Sequence, residues 1–176
     1  MRIEEESGIE FDFTNAISVI RHDKPLPHGD GNTIWKGVDF RIKNANAAWI
    51  WLEVKSWDPR GIILEDQESS RTDFYSKLMT KEFGAELRSK FYGTTAFLAW
   101  TGAFEPTDVT FVVLLQPPHP IDKALLGTLS ESIRSAFPQK KAIWTHNLSF
   151  ALADVDEWNK SYPDFRAKIL EEKVPE

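Results

Sequence analysis

Cysteine is absent from the 176-residue sequence, and so are long apolar runs. Without cysteine the chain has no disulfide framework and no thiolate metal site, and a reducing, cytoplasmic location is expected. No stretch approaches the roughly 20 apolar residues of a membrane span. The first ten residues carry four Glu and no apolar run, so we expect no signal peptide and no membrane partner.

An excess of basic residues is also missing. The formal net charge is −6, whereas proteins that bind nucleic-acid phosphates tightly are usually basic, because counterion release drives that binding. A negative total still leaves room for one basic face and for an acidic centre. Hydrophobic residues make up 41% and charged residues 27% of the chain, which predicts a packed core. The length predicts one domain, residues 1–176.

Two neighbouring segments alternate with the period of β-strands. The first separates its apolar from its charged residues, with Ile34, Val38, Phe40 and Ile42 on one face and Asp39, Arg41 and Lys43 on the other. The second, Trp49–Ser56, directs Ile50, Leu52 and Val54 to the core and leaves Trp49, Trp51, Glu53 and Lys55 on the opposite face. A short Asn-containing turn joins the two segments, so an antiparallel hairpin is predicted.

Other segments predict helices and strands around this hairpin. Residues 11–23 are predicted to form a short helix with Thr14 as its cap, and residues 24–32 a Pro- and Gly-containing loop. A long helix is predicted from about residue 73 to residue 100, and a second helix is expected after Asp122. Strands are predicted at 109–115, 142–144 and 148–153, followed by a helical turn at 157–160. The predicted order is α-β-β-α-β-α-β, a mixed sheet with helices against it.

The alternation of side chains along the two strands of the hairpin brings chemically active groups together. Glu53 and Lys55 are two residues apart, so they project from the same face of one strand. A hairpin centred near Asn46 sets Asp39 directly opposite Glu53, with Cβ atoms about 5 Å apart. Two adjacent carboxylates repel each other unless they share a cation, and Mg²⁺ or Mn²⁺ is suited to oxygen ligands of this kind. Lys55 is placed to orient an attacking water or to stabilise developing phosphoryl charge.

These residues resemble the PD-(D/E)XK nuclease motif: Gly37-Val38-Asp39-Phe40, followed by Leu52-Glu53-Val54-Lys55, with thirteen residues between Asp39 and Glu53. Val38 stands where the name of the family has proline. The resemblance implies an α/β restriction-endonuclease-like core of αβββαβ type, with Asp39, Glu53 and Lys55 as catalytic residues. It also implies a Mg²⁺ or Mn²⁺ site at Asp39 and Glu53. The backbone carbonyl of Val54 is a candidate for an extra ligand, because Val54 lies between the motif residues Glu53 and Lys55. Such families often place a further acid on the first helix, and the candidates here are Glu10, Asp12 and Asp23.

The sequence is compatible with three functions. The first is metal-dependent hydrolysis of phosphodiester bonds, with DNA as the expected partner and a homodimer as one expected assembly. The second is an inactive relative that binds nucleic acid or protein, in which the carboxylates only form ion pairs with Lys55. The third is a structural or adaptor subunit that uses its aromatic surface, since the chain has seven Trp and twelve Phe.

Some residues outside the motif are expected to play ordinary roles. His22, His28 and Asp30 are interpreted as solvated loop residues rather than metal ligands, because their spacing is not that of a metal site. The basic set Lys77, Lys81, Arg88 and Lys90 is interpreted as a helix surface, with contact to phosphates as the alternative. Trp100, Trp144 and Trp158 are expected to pack in the core or at its rim.

Overall fold

The computed structural model describes residues 2–22, 36–105, 107–137 and 147–170, and over these ranges the chain is a mixed α/β protein. Its strands are β1 (Ile3–Glu6), β2 (Ile9–Asp12), β3 (Ser18–Arg21), β4 (Phe40–Lys43), β5 (Trp49–Ser56), β6 (Val109–Gln116), β7 (Leu148–Ala153) and β8 (Ala167–Ile169). Its helices are α1 (Gln67–Leu78), α2 (Lys81–Trp100), α3 (Lys123–Ala136) and α4 (Val155–Ser161).

The strands form two sheets. The larger has the order β3-β4-β5-β6-β7, in which β3, β4 and β5 pair antiparallel and β5, β6 and β7 pair parallel. The smaller sheet has the order β1-β2-β8 and is antiparallel. The mixed sheet and the β4–β5 hairpin are thus confirmed, and β5 has the bounds that the sequence predicts.

Strand β5 is buried on both faces, because a layer covers each side of the large sheet. Ile50, Leu52 and Val54 lie in a first core shared with the small sheet and α4. Trp49 and Trp51 lie in a second core shared with α2 and α3. The side chains that follow Trp51 on this second face, Glu53 and Lys55, therefore lie between the sheet and the helical layer.

The predicted long helix is two helices. Thr80 separates α1 from α2: it has extended backbone, its hydroxyl accepts the N–H of Phe83, and it donates to the carbonyl of Lys77. A side-chain cap of this kind starts a new helix, which the apolar periodicity alone does not reveal. The predicted apolar stripe is confirmed as buried, and it consists of Leu78, Phe83, Leu87, Phe91 and Leu98.

The predicted helix over residues 11–23 is wrong. Its described part contains the end of β2, a turn and β3. Ile17 and Ile20 are exposed rather than buried, while Val19 is buried. Thr14, expected to be a cap, instead donates its N–H to Asp12 and accepts the N–H of Arg2. Pairing of β3 with β4 outweighs the weak helical spacing of these residues.

The alternation predicted for the first hairpin strand also ends earlier than expected. Val38 packs in the second core, whereas Phe40 and Ile42 pack in the first. A bend at Asp39 separates them, so that strand β4 begins only at Phe40. Ile34, predicted to share the face of Phe40, lies outside the described residues.

The later elements agree with the sequence where they are described. Strands β6 and β7 lie at the predicted positions, and the carboxylate of Asp122 accepts the N–H of Ala124 at the start of α3. The turn predicted at 157–160 is part of α4, while the strand predicted at 142–144 lies outside the described residues. Within the described ranges, none of the helices combines the length and hydropathy that crossing a membrane requires.

Candidate metal and catalytic site

Asp39 and Glu53 meet at the open end of the β4–β5 hairpin. The last pair of the ladder is Phe40 with Leu52, so one further step of the same register sets Asp39 against Glu53. There the Asp39 carboxylate accepts the backbone N–H of Val54, with 2.7 Å between Oδ2 and N. The side chain of Asp39 therefore takes the place of the next β4–β5 hydrogen bond and holds the carboxylate at the end of the sheet.

Lys55 shares the face of Glu53, as the strand parity predicts. Its Nζ lies 3.1 Å from Oε1 of Glu53 and 2.6 Å from Oε1 of Glu86, a residue of α2. Glu86 thus anchors the ammonium group from the helical layer while Glu53 approaches it from the sheet. The side chains of Lys55 and Glu86 are 24% and 43% exposed, whereas that of Glu53 is 1% exposed, so Glu53 is the buried member of the three.

A second lysine, Lys90 of α2, lies between the two carboxylates. Its Nζ is 3.1 Å from Oε1 of Glu53 and 3.4 Å from Oδ1 of Asp39. Thr94, one turn further along α2, accepts the N–H of Val38 at 2.9 Å and donates to the carbonyl of Lys90. This hydroxyl couples the helix to the segment just before Asp39, so the position of Lys90 relative to the hairpin is fixed by backbone contacts.

Close packing reinforces the same contact between α2 and the hairpin. At Gly93 a Cβ atom would lie 2.1 Å from the carbonyl oxygen of Lys36. Any side chain there would therefore push the helix away from the segment that leads into Asp39. Glycine at this position lets the backbone of α2 approach closely enough for Lys90 to reach both carboxylates.

Glu53 is the most deeply buried acid of the described chain, with 0% of its surface exposed, and Asp39 is 6% exposed. Burial and the charge of Asp39 raise the pKa of Glu53 to about 7, although Lys55 and Lys90 act in the opposite direction. Both lysine contacts reach Oε1 as ion pairs outside hydrogen-bond geometry, and Oε2 has no hydrogen-bond partner among the described residues. Such a carboxylate favours a further cationic ligand.

The surrounding charges keep both lysines protonated. Burial by itself lowers the pKa of Lys55, but Glu53 and Glu86 raise it by more, so the net pKa lies above its ordinary value. The same balance between burial and the charges of Glu53 and Asp39 raises the pKa of Lys90. Partial burial opposes ionisation of Glu86, yet the hydrogen bond and charge of Lys55 bring its net pKa below the usual range.

Two carboxylates and one carbonyl are the oxygen atoms that this end of the hairpin could offer to a metal ion. The N–H and C=O of a strand residue project to the same side, so the Val54 carbonyl faces the edge at which Asp39 accepts the N–H. In the described part of the chain, no group of three or more His, Cys, Asp or Glu side chains is arranged to hold a metal ion. Asp39, Glu53 and the Val54 carbonyl form a minimal set, which suits Mg²⁺ because that ion retains several waters.

The acids suggested for the first helix do not join this site. Glu10 and Asp12 lie on β2, whose neighbouring residues Ile9 and Phe11 point into the first core. Their side chains alternate to the outer face of the small sheet, and the first core separates them from the face of Glu53. The third candidate, Asp23, lies outside the described residues.

Other residues named from the sequence have separate positions. His22 is the last residue of the described range 2–22 and packs edge-on against Phe97, while His28 and Asp30 lie outside the described residues. Trp158 is fully buried in the first core, as predicted, whereas Trp100 is 76% exposed at the end of α2. Trp144 is outside the described ranges.

Sequence reasoning missed two members of the site. The sequence indicates Lys90 only as one of the basic set Lys77, Lys81, Arg88 and Lys90, and of that set it is the member that contacts both carboxylates. Glu86 was not singled out at all. Glu86, Lys90 and Thr94 follow one another at intervals of four on α2, which places them on one stripe of the helix. That spacing is the signal in the sequence, but it marks a site only once the hairpin is known to lie beneath the stripe.

A cleft of about 590 Å³ opens beyond the end of β5, next to this cluster. Ser56 and Trp57 line it from the strand end, and Lys77 lines it from α1. None of Asp39, Glu53, Lys55, Glu86 and Lys90 lines the cleft. The cluster is therefore a compact charged layer between the sheet and α2, and Lys55 is its member nearest to Ser56.

Comparison of the chain with protein-family models, with curated proteins and with solved structures found no match. The function is therefore inferred from the residues of the chain and from the geometry of the site.

Proposed function

We propose that this chain is a metal-dependent nuclease of PD-(D/E)XK type that hydrolyses phosphodiester bonds, with DNA as the first substrate to test. One observation carries the proposal: Asp39 and Glu53 converge on a single ammonium nitrogen, and Lys55 is beside them. In metal-dependent phosphodiester hydrolysis, carboxylates hold the metal and a cation stabilises the charge that develops on the phosphoryl group. We also propose that the β3–β7 sheet with α2 is a restriction-endonuclease-like core.

The oxygen set fits Mg²⁺ or Mn²⁺. Asp39 and Glu53 would hold the ion through carboxylate oxygens, and the carbonyl of Val54 faces the same edge of the sheet. A divalent ion supplies Lewis acidity at a phosphoryl oxygen and makes water a stronger nucleophile. The lack of hydrogen-bond partners on Oε2 of Glu53, among the described residues, supports this fit, because a buried carboxylate oxygen needs compensation.

The charge state of Lys55 determines its role. The raised pKa keeps the ammonium protonated near neutral pH, so Lys55 donates hydrogen bonds and positive charge and does not accept a proton. At this position it can hold a phosphoryl oxygen and stabilise the negative charge that develops there. Glu86 positions Lys55 from α2 through the contact of 2.6 Å, leaving the remaining ammonium protons for substrate.

An inactive interaction module is the second candidate, and the same ion pairs favour it. Both carboxylates already contact an ammonium group, which neutralises them without a metal. The net charge of −6 also disfavours tight binding to nucleic acid. In such a module, Lys55→Ala would reduce stability, by a few kcal/mol if it leaves a buried charge uncompensated, and no activity would change.

Cleavage assays on plasmid, linear duplex and single-stranded nucleic acid separate these candidates. The proposal predicts cleavage by the native protein with Mg²⁺ or Mn²⁺ and none in chelator. Glu53→Gln should abolish cleavage while retaining the fold, because the two side chains are nearly isosteric. Native protein that cuts none of these substrates, together with a strongly destabilised Lys55→Ala variant, would favour the interaction module.

A further inference from the structure

Lys90 occupies an unusual place for a lysine of a helix surface. It comes from α2, yet its Nζ lies within 3.4 Å of oxygens on both Asp39 and Glu53. Its side chain is only 18% exposed. The hydroxyl of Thr94 and the close approach at Gly93 hold this part of α2 against the segment before Asp39. The contact is thus built into the packing of helix on hairpin.

The oxygens that Lys90 contacts are those that a divalent ion would use. Mg²⁺ binds its oxygen ligands at about 2.0–2.1 Å, so an ion shared by Oδ1 of Asp39 and Oε1 of Glu53 would lie within a few ångströms of Nζ. Two cations at that separation repel each other strongly in a buried site. An ammonium group and a divalent ion cannot therefore occupy this position together.

Lys55 and Lys90 differ in their contacts with the two carboxylates. It contacts Glu53 but is anchored on its other side by Glu86, at 2.6 Å. Within the described residues, no hydrogen bond or ion pair joins Lys55 to Asp39. Removing Lys55 would take away a neighbouring charge, whereas removing Lys90 would also clear the position between the two carboxylates.

We propose that Lys90 is a built-in counter-ion that holds Asp39 and Glu53 together in the metal-free protein and withdraws when a divalent cation binds. This inference rests on the proposed function, since it assumes that the same two carboxylates bind the metal. Lys90 thereby lowers the affinity of the site for divalent ions and reduces the repulsion between the two carboxylates in their absence.

Glu86 gives the displaced lysine a place to go. It precedes Lys90 by one helical turn, which is the favourable order for an acid and a base four residues apart on a helix. Oε1 of Glu86 bonds to Lys55, and within the described residues its Oε2 makes no hydrogen bond. Lys90 can therefore exchange a contact with the hairpin for a contact with its own helix, and remain charged in both positions.

The test is Mn²⁺ titration by calorimetry of the native protein, Lys90→Met and Arg88→Met, with Asp39→Ala to define the site. Methionine keeps the aliphatic length of Lys90 and removes its charge. Arg88 is an exposed cation on the same helix, so Arg88→Met controls for the change in net charge. We expect Lys90→Met to bind Mn²⁺ about tenfold more tightly than the native protein, equivalent to about 1.4 kcal/mol, and Arg88→Met to bind as the native protein does.

The outcomes distinguish this inference from the proposed function. If the native protein binds Mn²⁺, Asp39→Ala does not, and Lys90→Met binds it equally or more weakly, the proposed role of Lys90 is wrong. The metal site itself is then retained. Folded native protein and folded Lys90→Met that both fail to bind Mn²⁺ contradict the metal site itself, and with it this inference.

Thermal melting provides a second readout that does not depend on a stable metal-free variant. Removing Lys90 takes away the ammonium group that contacts both carboxylates, so Lys90→Met should melt below the native protein in chelator and gain more thermal stability from Mn²⁺. If Lys90→Met is unfolded in chelator, recovery of folded protein by Mn²⁺ supports the proposal. Failure to recover at Mn²⁺ concentrations that saturate the native protein overturns it.

Discussion

The carboxylate of Asp39 accepts the backbone N–H of Val54 at 2.7 Å, and this contact places the acid where the β4–β5 ladder ends. Asp39 thus has two separable roles: its oxygen satisfies a buried N–H, and its charge attracts cations. Asparagine can perform the first role but not the second, whereas alanine can perform neither.

Asp39→Asn should therefore separate stability from metal binding. We expect Asp39→Ala to lose about 1–3 kcal/mol of unfolding free energy, because it leaves a buried donor unsatisfied, and Asp39→Asn to lose clearly less. Both variants should lose Mn²⁺ binding. Chemical denaturation and calorimetry on the two proteins check this. Mn²⁺ binding by Asp39→Asn at native affinity would remove Asp39 from the metal site.

Lys55→Ala should lose cleavage and keep the metal. Lys55 stabilises charge on the reacting group and is not a ligand, so its loss lowers kcat by about 100-fold or more, the effect typical of removing one such donor. The affinity for Mn²⁺ should not fall. Single-turnover cleavage and Mn²⁺ titration on the same preparation measure the two effects. Weaker metal binding with unchanged cleavage would reverse the assigned role.

The buried carboxyl of Glu53 predicts how stability depends on pH in the presence of chelator. Its pKa rises from 4.5 when exposed to about 7 in the fold, so between these values the folded protein holds a proton that the unfolded chain releases. The contribution of Glu53 to the free energy of unfolding is therefore complete below pH 4.5. As pH rises through 7 this contribution, roughly 3 kcal/mol, is lost.

The matched control for that prediction is Glu53→Gln, which cannot titrate. The unfolding free energy should decrease more between pH 5 and pH 8 for the native protein than for the variant. The difference between these two decreases is the contribution of Glu53. Parallel pH profiles for the two proteins would mean that Glu53 is not held in an environment that disfavours its charge.

Two helical glycines should respond oppositely to the same substitution. Gly93→Ala places a Cβ 2.1 Å from the Lys36 carbonyl oxygen, so it should cost about 3 kcal/mol or more and weaken Mn²⁺ binding by moving α2 from the hairpin. Gly127 in α3 has no atom within 4 Å of an added Cβ, so Gly127→Ala should gain up to about 1 kcal/mol. Denaturant melts compare them, and equal stabilisation of both variants would contradict the close packing at Gly93.

The hairpin was predictable because period-two alternation and a turn define its register with few alternatives. That register alone brings Asp39 and Glu53 together, and Lys55 follows from strand parity. Helix α2 was predictable as a buried stripe, but its separation from α1 depends on one side-chain cap at Thr80. Local pattern thus accounts for the sheet residues of the site.

The strands and site residues that the sequence does not predict depend on long-range contacts. Segment 11–21 contains apolar residues compatible with a helical spacing, and only its pairing with β4 and β8 makes it strand. Glu86 and Lys90 resemble an ordinary surface pair on a helix until α2 is placed over the hairpin. Their partners are 31 to 51 residues away in sequence, a separation over which no local pattern specifies contact.

Crystals grown with Mn²⁺ show whether Asp39 and Glu53 bind a divalent ion, because anomalous scattering locates the ion independently of any activity. We expect a Mn²⁺ peak bound by carboxylate oxygens of Asp39 and Glu53 near the Val54 carbonyl, with Lys90 withdrawn toward Glu86. Saturating Mn²⁺ that leaves no peak there, with Lys90 still between the two carboxylates, would contradict this expectation.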